Sequence, residues 1–323
     1  MIFCSSSSFA LYASLSSANL RTHNSIPKTP IPEGNNSRVS GVGVESNHPA
    51  TKFPAESSHY PSPSNLPTSA IIPTNSDALK NRQKCGDKRL EVVATISSIQ
   101  QVSPTVKVFS FDLGGVDLPF LPGQWVDLFI DTGASVEVGG YSITSTALQR
   151  GSIELAVKRL DHGAAAAYLH DRARLGDVVQ IQGPSGGFHH EPEWQGPLVL
   201  VAGGIGITPL ISILRYVDQS QLGNPLALIY SASSPSELLF QDEILSIAAR
   251  NSAIRCAFTV SRPSETSWDG RVGRIDVDML REHTPGQHCL YYLCGPPSFQ
   301  DDMAALVADM GIDDSMVRAE RWW

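Results

Sequence analysis

The chain has 323 residues, 41% of them hydrophobic and 17% charged, with a net charge of −8. That length suggests two domains with an extra segment, and the composition is that of a globular core diluted by a polar stretch. Residues 1–86 hold seven Lys/Arg against four Asp/Glu, whereas residues 87–323 hold 17 against 28, so the part expected to fold is acidic, which disfavours nucleic acid and an anionic membrane as partners.

Residues 1–86 are dominated by Ser, Pro, Asn and Thr and show no hydrophobic periodicity, so a disordered segment is expected. No acidic residue precedes Glu33, serines are frequent, and Arg21 and Lys28 supply positive charge. This is the composition of an organelle transit peptide, mitochondrial in the first place and plastid in the second. An unaddressed tail on a cytoplasmic protein has the same composition. The five cysteines, Cys4, Cys85, Cys256, Cys289 and Cys294, form no CxxC pair. Their odd number and wide spacing speak against a disulfide scaffold and a built-in iron–sulfur cluster. The histidines show no ligand spacing, and no metal is expected.

Residues 87–190 read as an antiparallel β-barrel. Strands are expected at Arg89–Ile99, Val106–Leu113, Leu121–Ile130, Tyr141–Ser145, Ser152–Arg159 and Asp177–Gln182. Ala164–His170 reads as a short helix, and Gly114-Gly115 as a turn. Short strands at regular spacing with glycine turns are the mark of a small barrel.

Residues 196–323 alternate between strand and helix. Strands are expected at Pro197–Ala202, Leu226–Ala232, Ile254–Ser261, Cys289–Cys294 and Val317–Trp323. Helices are expected after Pro209 and over Ser236–Arg250, Ile275–Glu282 and Ser298–Met310. This order predicts an α/β domain with a parallel sheet covered on both faces. Its key stretch is PLVLVAGGIGITPLISILRY (Pro197–Tyr216): an apolar strand, a turn with Gly203, Gly204 and Gly206, then Thr208 as N-cap and Pro209 as first helical residue. A glycine turn opening a helix presents N–H groups and a positive dipole end to an anion such as a nucleotide pyrophosphate. Glycine needed only for packing gives the same pattern, and the spacing is not GxGxxG. Trp194–Leu214 carries no charge, but glycines, Thr208 and Pro209 in its middle favour the turn over a membrane span.

Four motifs fall in order: PGQW (Pro122–Trp125), GYSITS (Gly140–Ser145), GGIGITP (Gly203–Pro209) and CGPP (Cys294–Pro297). The set resembles the ferredoxin–NADP reductase superfamily, and VGGYSI, IELAVK, YSASSPSELLF and the terminal RWW are similar to the oxidoreductase NAD-binding domain-containing protein subfamily. The resemblance covers about residues 88–323. It implies a flavin-binding β-barrel followed by an NAD(P)-binding α/β domain. The implied activity is that of a flavin-dependent NAD(P)H oxidoreductase, moving hydride from nicotinamide to flavin and electrons on to an unknown acceptor, a protein among the candidates.

The resemblance also implies roles. Tyr141 would lie against the flavin ring and the Ser142 hydroxyl would reach toward it, with Thr144 following on the same segment. Gly203, Gly204, Gly206, Thr208 and Pro209 would hold the nicotinamide nucleotide. Cys294 would sit beside the nicotinamide, with Gly295 and Pro296 shaping the turn. Ser261 and Arg262, with Arg271 nearby, fall where the adenosine end should lie. Trp323, from the last strand, would cover the flavin face, and Glu320 beside it is read as a surface carboxylate rather than a proton relay. Each residue has a plainer reading as well: a half-buried strand tyrosine, a small buried cysteine, aromatic packing on a sheet edge, a surface arginine.

Two positions depart from the family pattern. Gly139 stands where an arginine pairs with a flavin phosphate, and Gly163-Ala164-Ala165-Ala166 replaces a GxxS whose serine meets the pyrophosphate. Losing such a charge-assisted hydrogen bond weakens binding by about 1.5–3 kcal/mol. The N–H groups at the start of the following helix, Lys158 and His162 are substitute donors. FAD is therefore the implied flavin, with FMN or no flavin as alternatives, and the nucleotide is NAD or NADP. The rival to an enzyme is a non-enzymatic NAD(P)-binding module that has lost flavin affinity.

Overall fold

The computed structural model describes residues 89–160, 163–263 and 268–320. The expectations for residues 1–86, for His162 and for Trp323 lie outside the described residues.

Six antiparallel strands come first: β1 (Leu90–Ser103), β2 (Val106–Asp112), β3 (Trp125–Asp131), β4 (Val136–Ser142), β5 (Ser152–Lys158) and β6 (Val178–Ser185), in the order β4-β3-β6-β1-β2-β5. The two edges meet where Ile143 bridges to Leu155 and the Thr144 N–H donates to the Glu154 carbonyl, so the sheet curls into a barrel. Alternate residues fill it, among them Val92, Ala94 and Ile96 of β1, Phe109 and Phe111 of β2, and Val126, Leu128 and Ile130 of β3. This period of two buries one face of each strand. Helix α1 (Ala164–Asp171) turns Ala165, Ala166 and Leu169 into the same core.

A parallel sheet follows, with order β10-β9-β8-β7-β11-β12. Its strands are β7 (Leu198–Gly203), β8 (Leu226–Ala232), β9 (Ile254–Val260), β10 (Arg271–Val272), β11 (Leu290–Cys294) and β12 (Val317–Glu320). Helices α2 (Ile207–Gln219), α3 (Gln241–Arg250), α4 (Val277–His283) and α5 (Pro297–Asp309) connect them. Every residue of β7 is buried. Leu198, Leu200 and Ala202 face α2 and α3, whereas Val199 and Val201 face the cluster containing Met279 and Leu280 of α4 and Met303 and Val307 of α5. A strand buried on both faces has no polar alternation, which is why LVLVAG reads as a continuous apolar run.

Several boundaries differ from expectation. The strand expected at Tyr141–Ser145 is β4, which begins at Val136 and ends at Ser142, where the chain passes from one neighbour to the other: the Ile143 N–H donates to the Gln124 carbonyl while Ile143 bridges to Leu155 of β5. Thr208 is not an N-cap: a short 3-10 turn, Gly204–Gly206, precedes α2, Gly206 occupies the cap position, and the Thr208 hydroxyl donates to the Ile205 carbonyl. The helix expected from Ser236 starts at Gln241, because Phe240 takes a left-handed backbone (φ 59°) and Leu238 and Leu239 are buried. Tyr230 holds that break, its hydroxyl donating to the Glu237 carbonyl and accepting from the Leu239 N–H. No helix among the described residues is long and apolar enough to cross a membrane.

Candidate functional site

From β7 the chain passes outward through β8, β9 and β10, then returns to the other side of β7 as β11. Such a reversal leaves a crevice at the carboxyl ends of the two strands, the place where ligands bind in open α/β sheets. Both glycine-bearing motifs end there. Gly204 has φ +55° and nothing near the place of a Cβ, so it is open to close approach. The other glycines serve packing. A Cβ on Gly206 would collide with the Cys294 carbonyl, and Cβ atoms on Gly203 and Gly295 would stand 2.7 and 2.5 Å from the Phe299 ring. The two turns therefore touch backbone to backbone, clasped by a phenylalanine from the first turn of α5. Pro209 lies buried in the first turn of α2, and Pro296 is exposed just before α5. The start of α2 has no side-chain cap and brings its positive dipole end to this turn, but the Ile207 N–H is bonded to the Gly204 and Ile205 carbonyls and Pro209 has no N–H to offer.

Cys294 is fully buried and lies in register with Ala202 and Glu320. Burial, followed by the Glu320 charge, pushes its thiol well above the ordinary cysteine value, so it stays neutral. Glu320, expected on the surface, is half-buried.

The segment that follows β4 is bonded to α2, through Ser212 to the Ser145 carbonyl and Arg215 to the Thr144 carbonyl. The Tyr141 ring folds back over Gly139, whose Cβ, if present, would lie 2.5 Å from the phenol oxygen. Burial pushes the Tyr141 phenol upward, so it remains protonated. Ser142 is 5% exposed, stands opposite Trp125 of β3, and its hydroxyl makes no hydrogen bond among the described residues. Thr144 is fully buried and its hydroxyl donates to Glu154 at 2.7 Å.

These residues fit a flavin in part. The unengaged Ser142 hydroxyl and the uncapped start of α1, beside Gly163 with its open surroundings, are donors. The departures from the family pattern acquire a physical form: the tyrosine ring takes the space over Gly139, and Ala166 is turned into the barrel core.

Ser261 and Arg262 follow β9 at the carboxyl edge of the sheet, their N–H groups bonded to the carbonyls of Ala232 and Ser233. Both are exposed, and Arg262 forms no ion pair among the described residues. Arg271 is instead committed to Asp276 at 2.6 Å. Among the described residues no cluster of three or more His, Cys, Asp or Glu could hold a metal ion.

Three participants escape sequence reasoning. Gln124 of the PGQW motif is buried and tethers the connector between the halves, accepting from the Leu121 N–H and donating to the Gly186 carbonyl. Phe299 shapes both glycine turns, and no local pattern marks it. Arg215 and Glu154 meet at 2.8 Å from positions 61 residues apart, and no local pattern signals them.

Residues 93–190 match the oxidoreductase FAD-binding domain family, and residues 200–305 the oxidoreductase NAD-binding domain family. Oxidoreductase NAD-binding domain-containing protein 1 of Danio rerio is 34% identical over 254 residues, 71% of this chain and 91% of that protein. The Homo sapiens protein of the same name is 34% identical over 260 residues, 73% of this chain and 81% of that one. Among solved structures, the flavohem-like FAD/NAD-binding domain of nitric oxide dioxygenase from Vibrio cholerae superposes with a TM-score of 0.65 at 23% identity, covering 72% of this chain and 98% of that one.

Proposed function

The chain belongs to the family of oxidoreductase NAD-binding domain-containing protein 1, with an FAD-binding and a NAD-binding domain, and we propose that it is a flavin-dependent NAD(P)H oxidoreductase that hands electrons to a separate acceptor. One observation carries this reading. The helix that opens at the nucleotide turn, α2, is hydrogen-bonded to the segment following Ser142, so both half-sites are built on one frame.

When bound, the two cofactors supply the chemistry, a hydride passing from reduced nicotinamide to flavin. The protein's share is binding and orientation. Gly204 would admit the nucleotide, the positive dipole end of α2 would face its pyrophosphate, and Ser261 and Arg262 would take the adenosine end. A guanidinium at Arg262 suits a 2′-phosphate, which places NADPH beside NADH as a donor to be tested. Neutral Cys294, with Gly295 and Pro296, walls the nicotinamide. The Tyr141 ring would lie against the flavin, and the unengaged Ser142 hydroxyl would be a donor to it. The N–H groups at the start of α1 receive the flavin phosphates in place of the missing arginine and serine.

The test is an absorption spectrum of the purified full-length protein, with release and identification of the chromophore. Bound FAD bleached by NADH or NADPH under anaerobic conditions supports the enzyme. The tyrosine over Gly139 and the buried Ala166 favour a second reading, a nucleotide-binding module without flavin. Protein that stays colourless after incubation with FAD and FMN, yet binds NADH, establishes that second reading instead.

A further inference from the structure

Thr208, Ser212 and Arg215 recur at helical spacing and share one face of α2. Thr208 stands at the nucleotide turn. One turn on, the Ser212 hydroxyl, fully buried, donates to the Ser145 carbonyl at 2.8 Å. Arg215 then reaches the barrel: Nη1 donates to the Thr144 carbonyl at 2.7 Å and to Glu154 Oε1 at 2.8 Å. Its other edge forms a two-pronged pair with Glu243 of α3, both contacts at 2.7 Å, and the guanidinium stacks 5.0 Å from the Phe240 ring centroid. Glu154 closes the ring, accepting from the Thr144 hydroxyl while its own N–H donates to the Ser145 hydroxyl.

The Arg215 side chain is 12% exposed and its Glu154 partner 24%, so the barrel-side bonds are largely shielded from water, whereas Glu243 is 38% exposed. A planar fork satisfied along two edges resists rotation in a way that a lysine cannot match. Thr144 and Ser145 follow Ser142 after a single residue, Ile143. The group that grips them sits on the helix whose first turn frames the nucleotide crevice.

We propose that Arg215 is a positioning residue, a clamp from α2 onto Thr144 and Glu154 that sets the spacing between the flavin strand end and the nicotinamide turn. Arg215 touches neither cofactor. Its value lies in alignment, because a displacement of about 1 Å between reacting groups can cost about a hundredfold in rate. The proposal rests on the oxidoreductase reading for its catalytic consequence and on the hydrogen bonds alone for its mechanical one.

The experiment therefore has two readouts. In the first, hydrogen exchange is followed in the full-length protein without cofactors. Arg215→Met is expected to speed exchange at the Ile143 and Thr144 amides by about tenfold or more while β1 is unchanged, with Arg215→Lys in between. In the second, protein loaded with FAD is mixed anaerobically with saturating NADH or NADPH. Flavin reduction by Arg215→Met is expected to be slower by about 10- to 100-fold, with the Kd for FAD changed by less than about threefold. If Arg215→Met does not fold, Glu154→Gln, which keeps the shape while removing the charge, is read in the same way. Unchanged exchange overturns the clamp, and unchanged reduction with faster exchange overturns its role in alignment. Wild-type protein that neither nucleotide reduces overturns the oxidoreductase reading, and the exchange result then decides the clamp by itself.

Discussion

Gly206 and Gly139 are both positions where a Cβ would collide, yet what it would strike differs. At Gly206 the obstacle is the Cys294 backbone, itself fixed between β7 and β12. At Gly139 it is the far end of the Tyr141 side chain, which has its own rotations. The nucleotide half is thus assembled from main chain, held by buried strands on each side. The flavin half draws on side chains of a strand that crosses from β3 to β5 just beyond Ser142. Main chain cannot yield locally, whereas a side chain can, so the two halves should respond differently to the same substitution.

The largest effect is expected at the rigid half. Gly206→Ala should destabilise the protein by about 3 kcal/mol, the upper end for overpacking, and lose NADH binding as the turns part. Urea unfolding and nucleotide titration measure both, and a variant as stable as wild type would break the comparison. Next comes the adaptable half. Gly139→Arg should leave stability within about 1 kcal/mol and tighten FAD binding by about tenfold, less than a full charge-assisted hydrogen bond because the Tyr141 ring must move aside. Calorimetric titration with FAD reads this, and weaker binding would show that the tyrosine's place over Gly139 matters more than a phosphate partner.

Two smaller effects calibrate the larger ones. Asp276 caps α4, accepting from the Met279 N–H at 2.8 Å and pairing with Arg271. Asp276→Ala should cost about 1 kcal/mol without changing either cofactor's Kd. The Met279 hydrogen bond, followed by Arg271, lowers the Asp276 pKa. Its share of stability is therefore present above the unfolded value and lost as pH falls through the folded one.

His190, on the connector between the halves, is 2% exposed, and neither ring nitrogen has a partner among the described residues. Burial, then neighbouring His189, lowers its pKa from 6.5. The unfolded chain takes up this proton first, so stability should decline as pH drops below 6.5. His190→Phe should remove that decline and change stability at pH 8 by less than about 1 kcal/mol. Denaturation curves at pH 5.5 and 8 decide it, and equal slopes for both proteins would assign the acid sensitivity elsewhere.

Much of this was legible along the chain because it is local. The apolar run Leu198–Gly203, the glycines after it and the alternation of strand and helix are written in consecutive residues. Helix and strand types follow from spacing alone. The glycine turn could be singled out because it sits between an apolar strand and a helical pattern, whereas Cys294 was singled out by the resemblance of CGPP to a family motif. Misplaced starts at Ser236 and Thr208 mark where the tertiary context won. Burial of Leu238 and Leu239 under the Tyr230 hydroxyl bends the chain before α3 can begin, and a 3-10 turn takes up the residues assigned to the cap.

The sequence by itself determined the two-part order, the barrel before the parallel sheet, and the identity of the residues at the strand ends. Only the tertiary structure decided what those residues do to one another. Packing made Gly203 and Gly295 the floor for Phe299 and left Gly204 as the open glycine. It laid Tyr141 across Gly139, and it joined Arg215 to Glu154 across 61 positions. The reason is physical: periodicity reports which face of an element is buried, but close approach and ion pairing depend on elements that meet only after the chain has folded.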